Sequence, residues 1–201
     1  MAWTKYPGRA RDIHGSVLAS VKVFVDYNDA TKDRSSCLLE IKKYTQGSGD
    51  DLSVTGNNDS FTLKEGPTED FELGTSNAET AEIIATEIGN QTNFQAQATA
   101  TGAEGNPYVS VYYSNGYIAN TTTSDSGAWD WKTINDSNAI ATIAVDDSGT
   151  IKHQPIFTNS DGIVSCYVEG PDGGKIDVDL VPEKSGYTRD ATYTEDISLP
   201  T

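Results

Sequence analysis

Residues 76–89 read Ser-Asn-Ala-Glu-Thr-Ala-Glu-Ile-Ile-Ala-Thr-Glu-Ile-Gly. Ser76 and Glu79 have the spacing of a capping box, in which a serine hydroxyl and a glutamate three residues on satisfy amide groups that a helix start leaves bare. Ala81, Ile84, Ala85 and Ile88 then recur at i, i+3, i+4 and i+7, the stripe of an amphipathic helix. Glu79, Glu82 and Glu87 take the other faces, and Gly89 is placed to stop the helix in the left-handed conformation. The pattern predicts a helix over about 77–88.

Alternation surrounds it. Phe61 and Leu63 share one face of a strand over 60–64, and Gly66-Pro67 turns the chain before Phe71 and Leu73 continue the pattern. Beyond the helix, Phe94, Ala96, Ala98 and Ala100 alternate with polar residues. Gly102 to Pro107 turns, and Tyr108 to Tyr113 is a further strand closed by Ser114-Asn115-Gly116. Residues 60–117 thus read as a β-β-α-β-β module whose helix covers one sheet face.

Working outward, Val21, Val23 and Val25 alternate through a strand over 17–27, and Cys37 to Tyr44 is a second with Leu39 and Ile41 on one side. Residues 46–59 are loop material. Ala139 to Val145 is a strand, and Asp146-Asp147-Ser148-Gly149 turns it into a hairpin with Thr150 to His153. Ile163 to Val168 and Lys175 to Val181 flank Gly170-Pro171-Asp172-Gly173-Gly174, a second hairpin. The fold class is therefore α+β and mainly β, in antiparallel sheets with one helix and extended termini. Three parts are expected: an irregular arm over 1–15, a body over 16–184, and an extended tail over 185–201.

Charge is unevenly spread. The 201 residues carry 14 basic and 30 acidic side chains, net −16, yet residues 1–44 sum to +3 and the rest to −19. So acidic a body repels phosphate backbones, which argues against nucleic-acid binding. No run of 18 apolar residues is present, so no membrane helix is expected, nor a cleaved signal peptide, since the N-terminus lacks an apolar core segment. Two Cys and two His exclude a disulfide framework and His-rich metal sites.

The module at 60–117 resembles a small α/β unit that recurs in tailed-bacteriophage virion proteins, among them tail, sheath and head-decoration components. Thr80 to Ile88 matches the helical part of that motif and Gly102-Ala103-Glu104-Gly105-Asn106 its turn. The resemblance implies a non-enzymatic virion structural protein made in the host cytoplasm. It implies copies of itself and other virion proteins as partners, and it brings no catalytic residue and no cofactor. A capsid decoration or cement protein is the leading role, with a neck, collar or tail component as runner-up.

The residues themselves offer few chemical alternatives. No nucleophile-elbow, zinc-helix, P-loop or Cys-x-x-Cys pattern occurs. Cys37 and Cys166 read as core residues, and a Cys166–His153 dyad lacks an orienting motif. Asp50-Asp51, Asp146-Asp147 and Asp177/Asp179 could offer oxygen to calcium, but fit turns and strand faces better. Trp129 and Trp131, with Tyr112, Tyr113 and Tyr117, could form the platform of a carbohydrate-binding or receptor-binding module, or fill a core or interface. The candidate interface residues are Trp3, Lys5, Tyr6, Arg9 and Arg11 in the basic arm, together with Trp129, Trp131, Tyr187 and Tyr193.

Overall fold

A computed structural model describes residues 2–9, 15–27, 35–44, 50–99, 105–132, 139–170, 175–183 and 193–198. In chain order its elements are β1 (Ala2–Arg9), β2 (Lys22–Tyr27), β3 (Ser36–Ile41), β4 (Asp51–Gly56), β5 (Ser60–Lys64), α1 (Asn77–Gly89), β6 (Phe94–Ala98), β7 (Tyr108–Tyr113), β8 (Ile118–Thr123), β9 (Trp129–Lys132), β10 (Ala139–Ile140), β11 (Ile143–Ala144), β12 (Ile151–Lys152), β13 (Ile156–Phe157), β14 (Ile163–Gly170), β15 (Lys175–Glu183) and β16 (Tyr193–Ser198). Among the described residues every pairing between these strands is antiparallel, so the α+β, mainly β class is realised. The chain divides into two compact units, residues 1–30 with 137–201, and residues 31–136. The single body expected over 16–184 is therefore two, one inserted into the other.

The inserted unit holds two sheets, β6-β7-β3-β9 and β5-β4-β8. Their inward residues and the apolar stripe of α1 share one core, which includes Leu39, Leu52, Phe61, Ile84, Val111 and Trp129. The period-2 alternation of each strand puts those side chains on one face. The helix packs on β6 and β7. Ile84 and Ile88 have no exposed surface, and burying each contributes roughly 1.5–3 kcal/mol. The module boundaries at 60–117 need correcting. β5 lies in a different sheet from β6 and β7, and the expected strand at Phe71 and Leu73 is a single bridge from Phe71 to Glu65. Pairing partners from outside 60–117 complete both sheets.

The helix start follows the sequence with one change. Ser76 Oγ accepts the Glu79 amide at 3.2 Å, but Glu79 Oε2 reaches one residue further back, accepting Thr75 N–H and Oγ1–H at 2.6 Å each. Gly89 does not supply a left-handed stop. It remains helical, Asn90 caps the helix at φ −79°, and the left-handed turn falls to Asn93 at φ 67°. Asparagine tolerates that region because its short amide can bond locally.

The split unit also holds two sheets. One runs β1-β14-β11-β12. In the other, β10 and β13 both flank one side of β2, and β15 and β16 follow on its other side. Tyr6, Val23, Val25, Ile143, Ile156 and Val168 are among the core residues drawn from both. The expected arm is here a strand: residues 2–9 pair along their whole length with 163–170, and Tyr6 is 1% exposed. Ladder bonds and Tyr6 burial within its own unit offset the cost of ordering it. Pro7 hides the strand in the sequence, yet an edge strand accepts proline.

Two further expectations change. The strands flanking 170–174 do not form a hairpin; β14 pairs with β1 and β11, whereas β15 pairs with β2 and β16. Within the expected tail, residues 193–198 are a strand against 175–180. The causes differ: turn chemistry marks where a chain bends, not which strand it meets next, and residues 193–198 lack the apolar alternation that announces a strand. The hairpin at 146–149 holds, with Ile143 opposite Lys152 and Gly149 at φ 86°. The strand it closes is cut, though, since β10 pairs in one sheet and β11 in the other. The buried Gln154 amide ties that cut to β2. It accepts Val25 N–H at 2.8 Å and donates to Val25 O and Ala141 O at 3.0 and 2.7 Å.

Candidate functional site

Of the candidate interface residues, Trp129 and Trp131 belong to the inserted unit, and Trp3, Lys5, Tyr6, Arg9 and Tyr193 to the split one. Trp129 and Trp131 do face one side, as their spacing requires, but that side is the core; they are 0% and 7% exposed. The Trp131 indole N–H donates to Thr122 O at 2.9 Å, and the Trp129 ring lies 5.8 Å from Phe71. Neither ring can serve as a carbohydrate platform or a surface contact. In β1, Lys5 is exposed, Trp3 is half-buried over Gly149, and Tyr6 belongs to the core. Arg9 ends that strand and Tyr193 starts β16. Arg11 and Tyr187 lie outside the described residues.

The chemical candidates are built into the scaffold. Cys37 and Cys166 are buried, and burial pushes the Cys166 thiol up to about 11, so it is no thiolate at neutral pH. Asp146 Oδ1 accepts Ser148 N–H, Ser148 Oγ–H and Thr150 N–H, which hold its carboxyl down at about 2. Asp50 Oδ1 accepts Ser124 Oγ–H at 3.1 Å. Asp177 and Asp179 lie in β15. Among the described residues no group of three His, Cys, Asp or Glu side chains could hold a metal, and no helix is long and apolar enough to cross a membrane.

On the outward face of β3 and β9, an ion-pair chain runs Lys42–Asp130–Lys132–Glu40 at 2.9, 3.3 and 3.0 Å. Asn106 Nδ2 donates to Glu40 at 2.8 Å. Burial alone would raise the Glu40 carboxyl, but Asn106 and the lysines outweigh it and hold it below its ordinary value. Half-exposed pairs of this kind contribute about 0–1 kcal/mol each.

The arrangement with most binding potential lies where three turns of the inserted unit meet. They are the β4–β5 turn at 57–59, the approach to β6 at Asn93, and the β7–β8 turn at 114–117. Asp59 Oδ2 is their hub. It accepts Tyr113 O–H at 2.8 Å and the amide N–H groups of Asn93 and Asn115 at 2.9 Å each. The amides and the phenol hold the Asp59 carboxyl below its usual range. For Tyr113, burial and then the Asp59 bond raise the phenol.

Bonds between the turns fix the rest. Asn58 Nδ2 donates to Asn115 O at 2.7 Å, and Ser114 N–H and Oγ–H donate to Asn93 O at 2.9 and 3.0 Å. Asn57 brackets Tyr117: its Oδ1 accepts Tyr117 N–H, and its own N–H donates to Tyr117 O, both at 3.0 Å. Gly116 is obligatory here, because at φ +139° a side chain would run into the Asn57 amide. Tyr117 is 39% exposed.

The sequence reads 57–59 and 114–116 as turns and gives Asn93 no role. Only strand pairing brings the turns together. The available signal was the same Asn-rich turn chemistry beside strands at two places 58 residues apart, Asn57 and Asn115. No protein-family model, no curated protein and no solved structure matches the chain.

Proposed function

We propose that this chain is a non-enzymatic structural component of a tailed-bacteriophage virion, with capsid decoration or cementing as its leading role and a neck, collar or tail position as the runner-up. The resemblance at Thr80–Ile88 and Gly102–Asn106 motivates the reading. The observation that carries it is the building plan. Two β-rich units each have their own core, one inserted in the other. Groups that could do chemistry, Cys166 and Asp146 among them, are spent on burial and turn geometry. That plan suits a part that presents rigid surface to neighbouring copies and other virion proteins.

The basic N-terminal strand has a different part in this reading from that of a free arm. Residues 2–9 complete the split unit, so Lys5 meets neighbours from a fixed strand. The test is mass spectrometry of gradient-purified particles, with copy number counted against the major capsid protein. A decoration protein gives a fixed, near-integer ratio per capsomer, and a neck or tail component gives a few dozen copies or fewer. Recovery of the chain from cell lysate alone, with none in the particles, overturns the reading.

A further inference from the structure

The geometry points to an oligosaccharide-binding site formed by the Asp59 turn ridge and the hydroxyl-lined outer face of β5-β4-β8, with the exposed Tyr117 ring at its end. This goes beyond the virion reading and is independent of it.

The ridge is preorganised. Asn58, Asn93 and Asn115 each spend the amide nitrogen on an inward hydrogen bond. An amide held by its nitrogen presents its carbonyl oxygen on the other branch, and all three residues are exposed. Asn57 is held the opposite way, by its oxygen, which leaves its NH2 as a donor. The ridge therefore offers several acceptors and a donor whose rotamers are already paid for in folding, so little ordering cost falls on binding. Tyr117, one residue beyond Gly116, adds an apolar ring with a polar tip, fixed at its backbone by both Asn57 bonds.

The outer face of the three-stranded sheet continues from that end. Cross-strand register sets Ser60, Thr55 and Asn120 in one row and Thr62, Ser53 and Thr122 in the next. All six are exposed or half-exposed. Ser53 and Thr62 hydroxyls already bond at 3.1 Å. Strand geometry puts neighbours in a row about 4.8 Å apart and the rows about 7 Å apart. A hydroxyl both donates and accepts, so this face can match a ligand that presents hydroxyls at regular intervals.

Other ligand classes fit less well. The inserted unit carries 16 acidic and 6 basic residues, which repels phosphate chains. Asn57, Asn58, Asp59, Asn93, Ser114 and Asn115 are polar, which leaves a hydrophobic peptide little here beyond Tyr117. Neutral sugar chains match both parts of this surface: repeated hydroxyls for the amides and the Ser/Thr rows, and apolar C–H faces for one aromatic ring.

The experiment uses the full chain on printed linear oligosaccharides of hexoses and N-acetylhexosamines, from disaccharide to octasaccharide, with affinities then measured by calorimetry. At least one series is expected to bind, its signal rising fivefold or more from disaccharide to hexasaccharide. Tyr117→Ala is expected to weaken binding at least tenfold and Asn93→Ala at least threefold. Thr62→Ala on the sheet face should weaken the hexasaccharide more than the disaccharide. Tyr44→Ala removes an equally exposed tyrosine at the far end of β3 and should change nothing. These are surface substitutions, and thermal melts check that each variant folds. Silence across every series overturns the site, as does binding that survives Tyr117→Ala and Asn93→Ala together. Self-association that Tyr117→Ala dissolves, in the absence of any bound glycan, would make the ridge a contact between copies and overturn the sugar reading. Particle incorporation is scored separately, so failure there leaves the sugar result standing, and the reverse.

Discussion

The inserted and split units are both antiparallel β, yet they close in different ways. The inserted unit comes from one continuous stretch, 31–136. Its turns are pinned by side chains such as Asp59, Asn93 and Ser35, whose hydroxyl donates to Gly116 O at 2.7 Å. The split unit is closed by residues more than a hundred positions apart. Thr158 Oγ1 donates to Leu18 O at 2.6 Å, Gln154 holds Val25, and β1 pairs with β14. The first kind of closure can leave exposed turns rigid enough to present groups to a ligand. The second turns the chain's ends into structural members.

The comparison is tested hardest in the inserted core. Ile84→Asp would put a carboxylate where no exposed surface is available, in an apolar cluster with Ala81, Ala85, Ile88 and the inward strand residues. A cost of several kcal/mol is expected, comparable with the whole stability of an ordinary domain. Two of the three tryptophans, Trp129 and Trp131, sit in this core, so their fluorescence reports on it directly. An unchanged emission spectrum and melt in Ile84→Asp would mean that α1 does not cap this core.

The split unit has its counterpart in Tyr6. Truncating this buried ring to alanine should cost about 3 kcal/mol, and deleting residues 2–9 more, because β14 would also lose a partner strand. Urea denaturation followed by far-ultraviolet circular dichroism measures both. If the deletion leaves the midpoint where it was, the N-terminal strand contributes nothing to its unit and the free-arm picture returns.

What the sequence disclosed divides along the same line. The helix, its Ser76 cap, the hairpin at 146–149 and most strand positions rest on local chemistry, and all were readable. Partner choice was not. Pro7 and the mixed run Ala2–Arg9 conceal a strand that only β14 makes worthwhile, and Tyr193–Ser198 lacks the apolar alternation that announces one. The hairpin expected across 170–174 had the right turn residues but the wrong partners, since each flanking strand finds a longer register elsewhere. Spacing puts the tryptophan pair on one common face, but spacing alone does not say whether that face meets solvent or core. The Asp59 ridge stayed hidden because its members come from three turns that sequence separates and sheet pairing unites.

A smaller effect sharpens the reading of α1. Ser76→Ala removes the hydroxyl that accepts the Glu79 amide and should cost about 1 kcal/mol. Glu79→Gln is expected to cost less, because its carboxylate serves Thr75 in front of the cap and not the Ser76 amide. Equal losses in thermal melts of the two variants would indicate a reciprocal capping box instead.

The smallest effect returns to the split unit and to pH. Asp146 is half-exposed, and its Oδ1 organises the 146–149 turn through Thr150 and Ser148, which holds its carboxyl at about 2. In an unfolded chain the same group titrates near 3.9. The unfolded state therefore takes up its proton first as pH falls. The stabilisation from Asp146 is complete above about pH 4, shrinks through the interval between the two values, and is gone below about pH 2. Asp146→Asn should destabilise modestly at neutral pH, and the gap between variant and parent melting temperatures should close as pH drops toward 2. Salt will trim the effect at a carboxylate within reach of solvent, so a direct probe is better. The Ser148 and Thr150 amide resonances, which report the bonds to Oδ1, should move with a midpoint near 2. A midpoint near 4 would show that the turn is held by Gly149 and the strand pairing alone, with the aspartate along for the ride.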